Sequence, residues 1–111
     1  MKNFYSKKPK FLNKKTVVDG ITFDSKKEAE YYGVLKLRKM GGEIKDFKIQ
    51  VPYEMRVNGE LICKYIADFV VYYPNGIQVI DVKSEITRTN PVYRIKIKLL
   101  KAIHGITIVE K

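Results

Sequence analysis

Apolar residues along this chain occur in short runs that are separated by turn residues. "TVVDGITF" (16–23) predicts a hairpin, because Asp19-Gly20 is a preferred pair for a tight turn. "EIKDFKIQVPYEMRV" predicts a strand, and Pro52 marks it as an edge strand or a bulge. Asn58-Gly59 predicts a second tight turn, followed by the strands "ELICKYIADFVVYY" and "IQVIDVKS". The closing "ITIVEK" predicts a final strand.

Two segments carry helix signals. In "FDSKKEAEYYGVLKLRKMGG", Ser25 and Glu28 have the spacing of a capping box, and the double glycine ends the helix. "PVYRIKIKLLKAIHG" predicts a second helix that begins near Pro91 and ends at Gly105. The predicted order is therefore hairpin, helix, three strands, helix and strand.

The segment "YIADFVVYYPNGIQVIDVKS" (65–84) places charges inside apolar runs. Its second strand is apolar on both faces, which predicts a central strand covered on both sides in an α/β layered fold. If Asn75-Gly76 forms the turn, Asp68 lies opposite Lys83 and Asp81 lies diagonally across, on the same face. The three charges then share one face of one hairpin.

Two interpretations explain these charges. Lys83 pairs with one or both aspartates in a structural network, or the two carboxylates bind a divalent cation that removes their mutual repulsion. Mg²⁺ prefers one or two protein carboxylates together with water and phosphate oxygens. The second interpretation predicts a metal-dependent phosphodiesterase.

The charge balance indicates a polyanionic partner. The chain has 22 Lys and Arg against 12 Asp and Glu, a net charge of +10. Such a charge favours nucleic acid or, less often, an anionic membrane surface, and the alternative is a merely basic soluble protein. Residues 1–15 carry lysines and no acid, so they are expected to form a basic flexible arm that binds DNA or the partner chain, or is simply solvated. No secretory leader or membrane span is apparent, which predicts a cytoplasmic protein without membrane contact.

The order of elements, Asp68, and "DVK" at Asp81-Val82-Lys83 resemble the PD-(D/E)XK nuclease superfamily. "GITFDSKKEAEYY", "YIADF" and "HGITIVE" resemble small phage and prophage nucleases related to Holliday junction resolvases, over nearly the whole chain from Thr16 to Val109. Ala67 stands where the superfamily has proline. The resemblance implies a restriction-endonuclease-like core, with a central mixed β-sheet flanked by helices, in a single nuclease domain at residues 16–111.

The same resemblance implies site roles. Asp68 and Asp81 bind Mg²⁺, for which Mn²⁺ substitutes, and the carbonyl of Val82 adds a ligand. Lys83 orients or activates the attacking water, or stabilises charge on the phosphate. Glu28 completes the catalytic acids as a direct or water-mediated metal ligand. A capping role for Glu28, and Glu30 as the acid that faces the site, are the alternatives.

Basic residues predict the DNA contacts. On the second helix, the cations Arg94, Lys98 and Lys101 form a row at i, i+4 and i+7, and Lys96 lies off it. This basic row opposes an apolar row made by Val92, Ile95, Leu99 and Ile103. A basic row beside an active site would hold phosphates, and the alternative is a solvated face. The full set of candidate DNA-binding residues is Arg94, Lys96, Lys98, Lys101, Arg88, Lys14 and Lys15. Gln50, on an earlier strand, is a candidate to approach the site or is a solvent-facing residue.

These features predict a metal-dependent DNA endonuclease that acts as a Holliday junction resolvase on branched DNA. Two symmetrical cuts need two active sites, which implies a homodimer. The resemblance also implies a phage or prophage protein in a bacterial cytoplasm. The alternatives are a nuclease of the same fold acting on other DNA structures and a non-catalytic basic DNA-binding module.

Overall fold

The computed structural model describes residues 15–83 and 88–111, which form two compact units divided between Leu37 and Arg38. The fold is α/β, as predicted. In the described residues the elements are β1 (Thr16–Val18), β2 (Ile21–Phe23), α1 (Lys26–Met40), β3 (Asp46–Val57), β4 (Glu60–Tyr73), β5 (Gly76–Asp81), α2 (Pro91–His104) and β6 (Ile108–Glu110). Neither helix in these ranges has the length and apolar character needed to cross a bilayer.

The first unit contains the β1–β2 hairpin and most of α1. Asp19 and Gly20 have φ angles of 54° and 75°, as a type I′ turn requires, so the predicted hairpin is confirmed. The Asp19 carboxylate accepts hydrogen bonds from the Tyr32 hydroxyl at 2.9 Å and from the Lys36 ammonium at 2.5 Å. These two bonds attach the hairpin to α1.

The second unit is built on a mixed four-stranded sheet with the strand order β3-β4-β5-β6. The β3–β4 and β4–β5 pairs are antiparallel, and β5–β6 is parallel. Asn58 and Gly59 form the predicted type I′ turn, with φ angles of 52° and 83°. Pro52 is exposed on β3, an edge strand of this sheet, as its inability to donate a ladder hydrogen bond requires.

The β4–β5 turn lies one residue earlier than predicted. Tyr73 pairs with Gly76, so Pro74 and Asn75 are the central residues. Neither Asn75 nor Gly76 has a positive φ angle, so these two residues do not form a type I′ turn, and Pro74 suits the first central position of a type I turn. The register therefore moves by two residues. An even shift keeps Asp68 and Asp81 on the same face of the hairpin, as predicted.

An irregularity lies where β3 and β4 run opposite Asp68. The ladder pairs Ile49 with Phe69 and Val51 with Ala67, so Gln50 and Asp68 occupy the facing positions between them. Gln50 has a φ angle of 50°, which an L-residue adopts only at a cost. The side-chain alternation of β4 shifts by one residue at Asp68. The residues of β4 that belong to one apolar cluster are odd-numbered before Asp68 (Tyr65 and Ala67) and even-numbered after it (Val70 and Tyr72).

Helix α2 begins at Pro91 and is followed by Gly105, as predicted, and it packs against β3 and β4. The Asn90 side chain accepts hydrogen bonds from the backbone N–H groups of Val92 and Tyr93, and Gly105 ends the helix at a φ angle of 71°. Tyr93 and Leu100 are the buried residues. The predicted apolar row is wrong for three of its four members, which are 36–61% exposed: Val92, Ile95 and Ile103. The helix is apolar on several sides, so its pattern alone does not select the side that meets the sheet.

The conformation of Gln50 predicts an unusual response to glycine. Glycine adopts positive φ without strain, although it weakens a regular strand. We expect Gln50→Gly to leave the free energy of unfolding unchanged or to raise it by up to about 1 kcal/mol. Gln78→Gly makes the same chemical change in the regular strand β5 and should lower it by about 1 kcal/mol. Urea unfolding of both variants measures the difference, and equal losses would contradict strain at Gln50.

Candidate active site

Asp68 of β4 and Asp81 of β5 face each other and are held by backbone amides. The Asp68 N–H donates to Asp81 Oδ1 at 3.0 Å, and the Val82 N–H donates to Asp68 Oδ2 at 2.8 Å. Asp81, rather than Lys83, therefore lies opposite Asp68, and the reason is the earlier turn at Pro74. The two carboxylates are closer to each other than the predicted register implied.

Asp81 is fully buried, with an exposed fraction of 0%. Its Oδ1 accepts the amide of Asp68, but its Oδ2 has no hydrogen-bond partner among the described residues. Loss of hydration raises the pKa of this carboxyl above its usual value. Lys83 and the Asp68 amide act in the opposite direction, and Glu110 adds to the increase. The hydrogen bonds of the described residues therefore stabilise only part of the charge of the Asp81 carboxylate. Buried acids of this kind are frequent at functional sites.

Lys83 lies between this carboxylate and an aromatic ring. Its Nζ is 3.8 Å from Asp81 Oδ2, too long for a hydrogen bond but within ion-pair distance, and its side chain is 20% exposed. The same Nζ lies over the ring of Tyr93, 5.2 Å from the ring centroid. The Lys83 ammonium therefore balances part of the negative charge of Asp81 from ion-pair distance.

Two neighbours of this group were missed in the sequence: Glu110 and Tyr93. Glu110 of β6 is the register partner of Asp81 in the parallel β5–β6 pair. Its Oε2 accepts from the Tyr93 hydroxyl at 2.5 Å, and its Oε1 is 3.7 Å from the Nε of Arg88. The sequence does predict the closing strand that carries Glu110, but the pairing of this strand with β5 is a tertiary contact that the local pattern does not specify. Tyr93 carries no distinguishing sequence signal, because it is one of several apolar or aromatic residues in the predicted second helix.

Glu28 lies in the first unit, as the third residue of α1. Its backbone N–H donates to the Ser25 Oγ at 3.1 Å, which confirms the Ser25 half of the predicted capping box. Its side chain is half-buried, whereas Glu30 is exposed. The role of Glu28 toward the two aspartates stays a prediction.

The basic row of α2 lines an open pocket. Arg94, Lys98 and Lys101 share this pocket with Thr107 and Glu110, and Ile97 and Ile108 form its apolar part. The three cations are exposed, and their spacing brings them together as predicted. Glu110, which lines this pocket together with the three cations, is also the register partner of Asp81, so the pocket lies next to the pair of aspartates.

The remaining candidate DNA contacts differ from this row. Lys96 is half-buried and does not line the pocket. Arg88 is close to Glu110, as above, and Lys15 forms an ion pair with Asp24 at 3.3 Å that is 74% exposed on both sides. Lys14, with the rest of residues 1–14, lies outside the described residues, as do residues 84–87.

The donor set of the site fits a hard divalent cation. Asp68 and Asp81 supply neighbouring carboxylate oxygens, and Asp81 Oδ2 is buried without a hydrogen bond from residues 15–83 or 88–111. Mg²⁺ needs one or two such carboxylates and takes its other ligands from water and phosphate. No group of three or more acidic, His or Cys side chains is gathered for a metal within residues 15–83 and 88–111. The carbonyl of Val82 as a ligand stays a prediction, since only its N–H has an assigned partner here.

The raised pKa of Asp81 predicts how stability depends on pH. The folded state binds this proton more tightly than the unfolded state, so the stabilisation is complete below the unfolded pKa near 3.8 and is lost as pH rises through the folded pKa. Asp81→Asn retains an acceptor oxygen and removes the ionisation. In chelator at pH 7 we expect Asp81→Asn to melt at a higher temperature than wild type, with the difference shrinking as pH falls toward 3.8.

A matched control is Asp46→Asn. The Lys39 ammonium lowers the pKa of Asp46, so this substitution should slightly destabilise the protein at pH 7. Thermal melts across pH measure both variants. A lower melting temperature for Asp81→Asn at pH 7 would mean that partners of the ionised carboxylate outweigh its burial.

Comparison with known proteins places the chain in a family without supplying a function. No curated protein shows significant similarity to it. A family described as "Protein of unknown function (DUF1064)" matches residues 8–105, a range that includes Asp68, Asp81, Lys83 and Tyr93 but ends before Glu110. Since this match extends over most of its length, the chain belongs to the DUF1064 family.

Proposed function

We propose that this protein is a metal-dependent DNA endonuclease. The observation that carries the proposal is the Asp81 carboxylate, which is fully buried beside Asp68 and has one oxygen that no group in the described part of the chain hydrogen-bonds. Leaving a buried charge incompletely compensated costs several kcal/mol, on the order of 3–5 when a partner is missing. A bound cation would remove this cost and the repulsion between the two acids.

The chemistry follows from the donors. Asp68 and Asp81 would hold Mg²⁺ or Mn²⁺, with Val82 and Glu28 as the further ligands that the resemblance to PD-(D/E)XK nucleases implies. The ion supplies Lewis acidity and lowers the pKa of a bound water. Lys83, with its Nζ 3.8 Å from Asp81 Oδ2, orients the attacking water or stabilises negative charge on the phosphate. Hydrolysis then needs no covalent enzyme intermediate.

DNA is the substrate that the charge distribution favours. The chain carries a net charge of +10, and the pocket with Arg94, Lys98 and Lys101 includes Glu110, the register partner of Asp81. A phosphate backbone held along α2 would therefore pass close to the two aspartates.

Branched DNA, with the four-way junction as its main form, is the substrate class proposed from the resemblance to resolvases. Symmetrical cutting of a junction needs two active sites, so the proposal includes a homodimer. A dimer could also bury the apolar side chains of Val92 and Ile95, which are 61% and 59% exposed on α2. Other DNA structures remain the alternative substrates.

A non-catalytic DNA-binding module is the second candidate. The Asp81–Lys83 ion pair and the amide bonds to both aspartates are also what a structural network would contain. The two candidates differ in one simple property. Cleavage of junction, fork, duplex and single-stranded DNA should appear with Mg²⁺ or Mn²⁺ and vanish with chelator, whereas binding alone tolerates chelator.

Asp81→Asn separates these candidates. We expect it to reduce cleavage below detection while DNA affinity is equal or tighter, because the metal loses a carboxylate and the phosphate loses a repulsive charge. Asp46→Asn removes the same charge from an exposed position on β3 and should cleave like wild type. Cleavage assays with Mg²⁺ and anisotropy titrations in chelator measure the two properties. Equal turnover in Asp81→Asn and wild type would overturn the metal-site assignment.

Lys98→Ala tests the basic row. If Lys98 contacts one phosphate, its loss should reduce the slope of log affinity against log salt by about one unit in magnitude while metal dependence is kept. Lys64→Ala, which removes an exposed lysine of β4 that does not line the pocket, should leave the slope unchanged. Titrations at several salt concentrations in chelator measure the slopes. Equal slopes for the two variants would mean that the row on α2 faces solvent.

A further inference from the structure

Tyr93 is the residue of α2 that contacts Lys83, the neighbour of the two aspartates. It is 8% exposed, and its ring is packed beside Tyr65 with a centroid distance of 6.4 Å. The Lys83 Nζ lies over the same ring, 5.2 Å from its centroid. An ammonium over an aromatic face is attracted by the ring quadrupole, and this attraction is stronger where water is partly excluded.

Glu110 restrains Tyr93 from the other side. The Tyr93 hydroxyl donates to Glu110 Oε2 at 2.5 Å, while Arg88 Nε lies 3.7 Å from Oε1. The backbone position of Glu110 is fixed by the β5–β6 pairing, in which the Lys111 N–H donates to the Asp81 carbonyl at 2.9 Å. The strand that carries Asp81 therefore also fixes the residue that holds the Tyr93 ring.

This restraint matters because a lysine side chain is flexible. Four rotatable bonds separate the Lys83 ammonium from its backbone, and Asp81 Oδ2 attracts it from 3.8 Å. An aromatic wall limits the directions that the ammonium can take. A group that must lie within about 0.5 Å of a productive position depends on such neighbours.

We infer that Tyr93 is a positioning residue that directs the Lys83 ammonium toward the Asp81 carboxylate, and that Glu110 fixes Tyr93 in this role. The inference rests on the proposed nuclease function. Because Tyr93 is buried, it acts through Lys83 and is not expected to contact DNA. Its loss should therefore change kcat and leave KM nearly unchanged.

The experiment is a double-mutant cycle. Tyr93→Leu should lower kcat for DNA cleavage about tenfold, with KM changed less than about twofold. In a Lys83→Ala background, Tyr93→Leu should have less than about a twofold further effect, since the group that it positions is gone. Tyr93→Phe keeps the ring and loses the hydroxyl that Glu110 fixes, so its kcat should lie between those of Tyr93→Leu and wild type; a kcat equal to that of wild type would refute the role of Glu110.

Tyr65→Leu is the matched control for core damage. Tyr65 is 5% exposed and belongs to the same apolar cluster, but it lies on β4, and the ring over which the Lys83 Nζ lies is that of Tyr93. It should lower the melting temperature as Tyr93→Leu does and leave kcat within about threefold of wild type at a temperature where all variants are folded. Equal losses of kcat in the two leucine variants, or an undiminished effect of Tyr93→Leu in the Lys83→Ala background, would overturn the inference.

A spectroscopic readout separates this inference from the proposed function. The ε-methylene protons of Lys83 should have an upfield ring-current shift that Tyr93→Leu removes and that Tyr93→Phe and Tyr65→Leu keep. Wild-type protein that cuts no DNA but shows this shift would refute the nuclease proposal and leave the Lys83–Tyr93 contact standing. A shift unaffected by Tyr93→Leu, in a protein that does cut DNA, would refute the positioning role alone.

Discussion

A carboxylate without access to water, at the end of an apolar strand, constrains the second unit. Ionised Asp81 needs compensation, and the sheet supplies part of it through the Asp68 amide while Lys83 supplies a nearby charge. The position of Lys83 depends on the ring of Tyr93, and Tyr93 depends on Glu110. One buried charge thus links strands β4, β5 and β6 to helix α2, and its Oδ2 is still without a hydrogen bond among the described residues.

The sheet changes its regular form where the second acid lies. Asp68 faces Gln50, whose φ angle of 50° accompanies the change in side-chain alternation along β4. A strand with strict alternation would keep the odd-numbered residues on the side of Tyr65 and Ala67 throughout, which places Asp68 on the other face from that cluster. The strained backbone at Gln50 therefore accompanies the break in alternation that brings Asp68 to the side of this cluster. Strain of this kind is found where the position of a functional residue is fixed at the expense of regular structure.

Local signals predicted most elements, and tertiary pairing decided the errors. Asp19-Gly20 and Asn58-Gly59 suit type I′ turns, and their hairpins formed as predicted. Pro74 displaced the third turn by one residue, but the even register shift kept Asp68, Asp81 and Lys83 together. The inward side of α2 was not predictable, because apolar residues lie on several of its sides. Glu110 and Tyr93 meet only through the parallel β5–β6 pair, which no local pattern encodes.

Helix α2 contributes to both halves of the proposed function. Tyr93 in its first turn packs inward against the sheet, and Arg94, Lys98 and Lys101 line the pocket that Glu110 also borders. Because the helix is rigid, a phosphate held by its basic row would be registered against the same element that restrains Lys83. Binding of the DNA backbone and orientation of the ammonium then depend on one structural element, so a substitution that displaces α2 would disturb both.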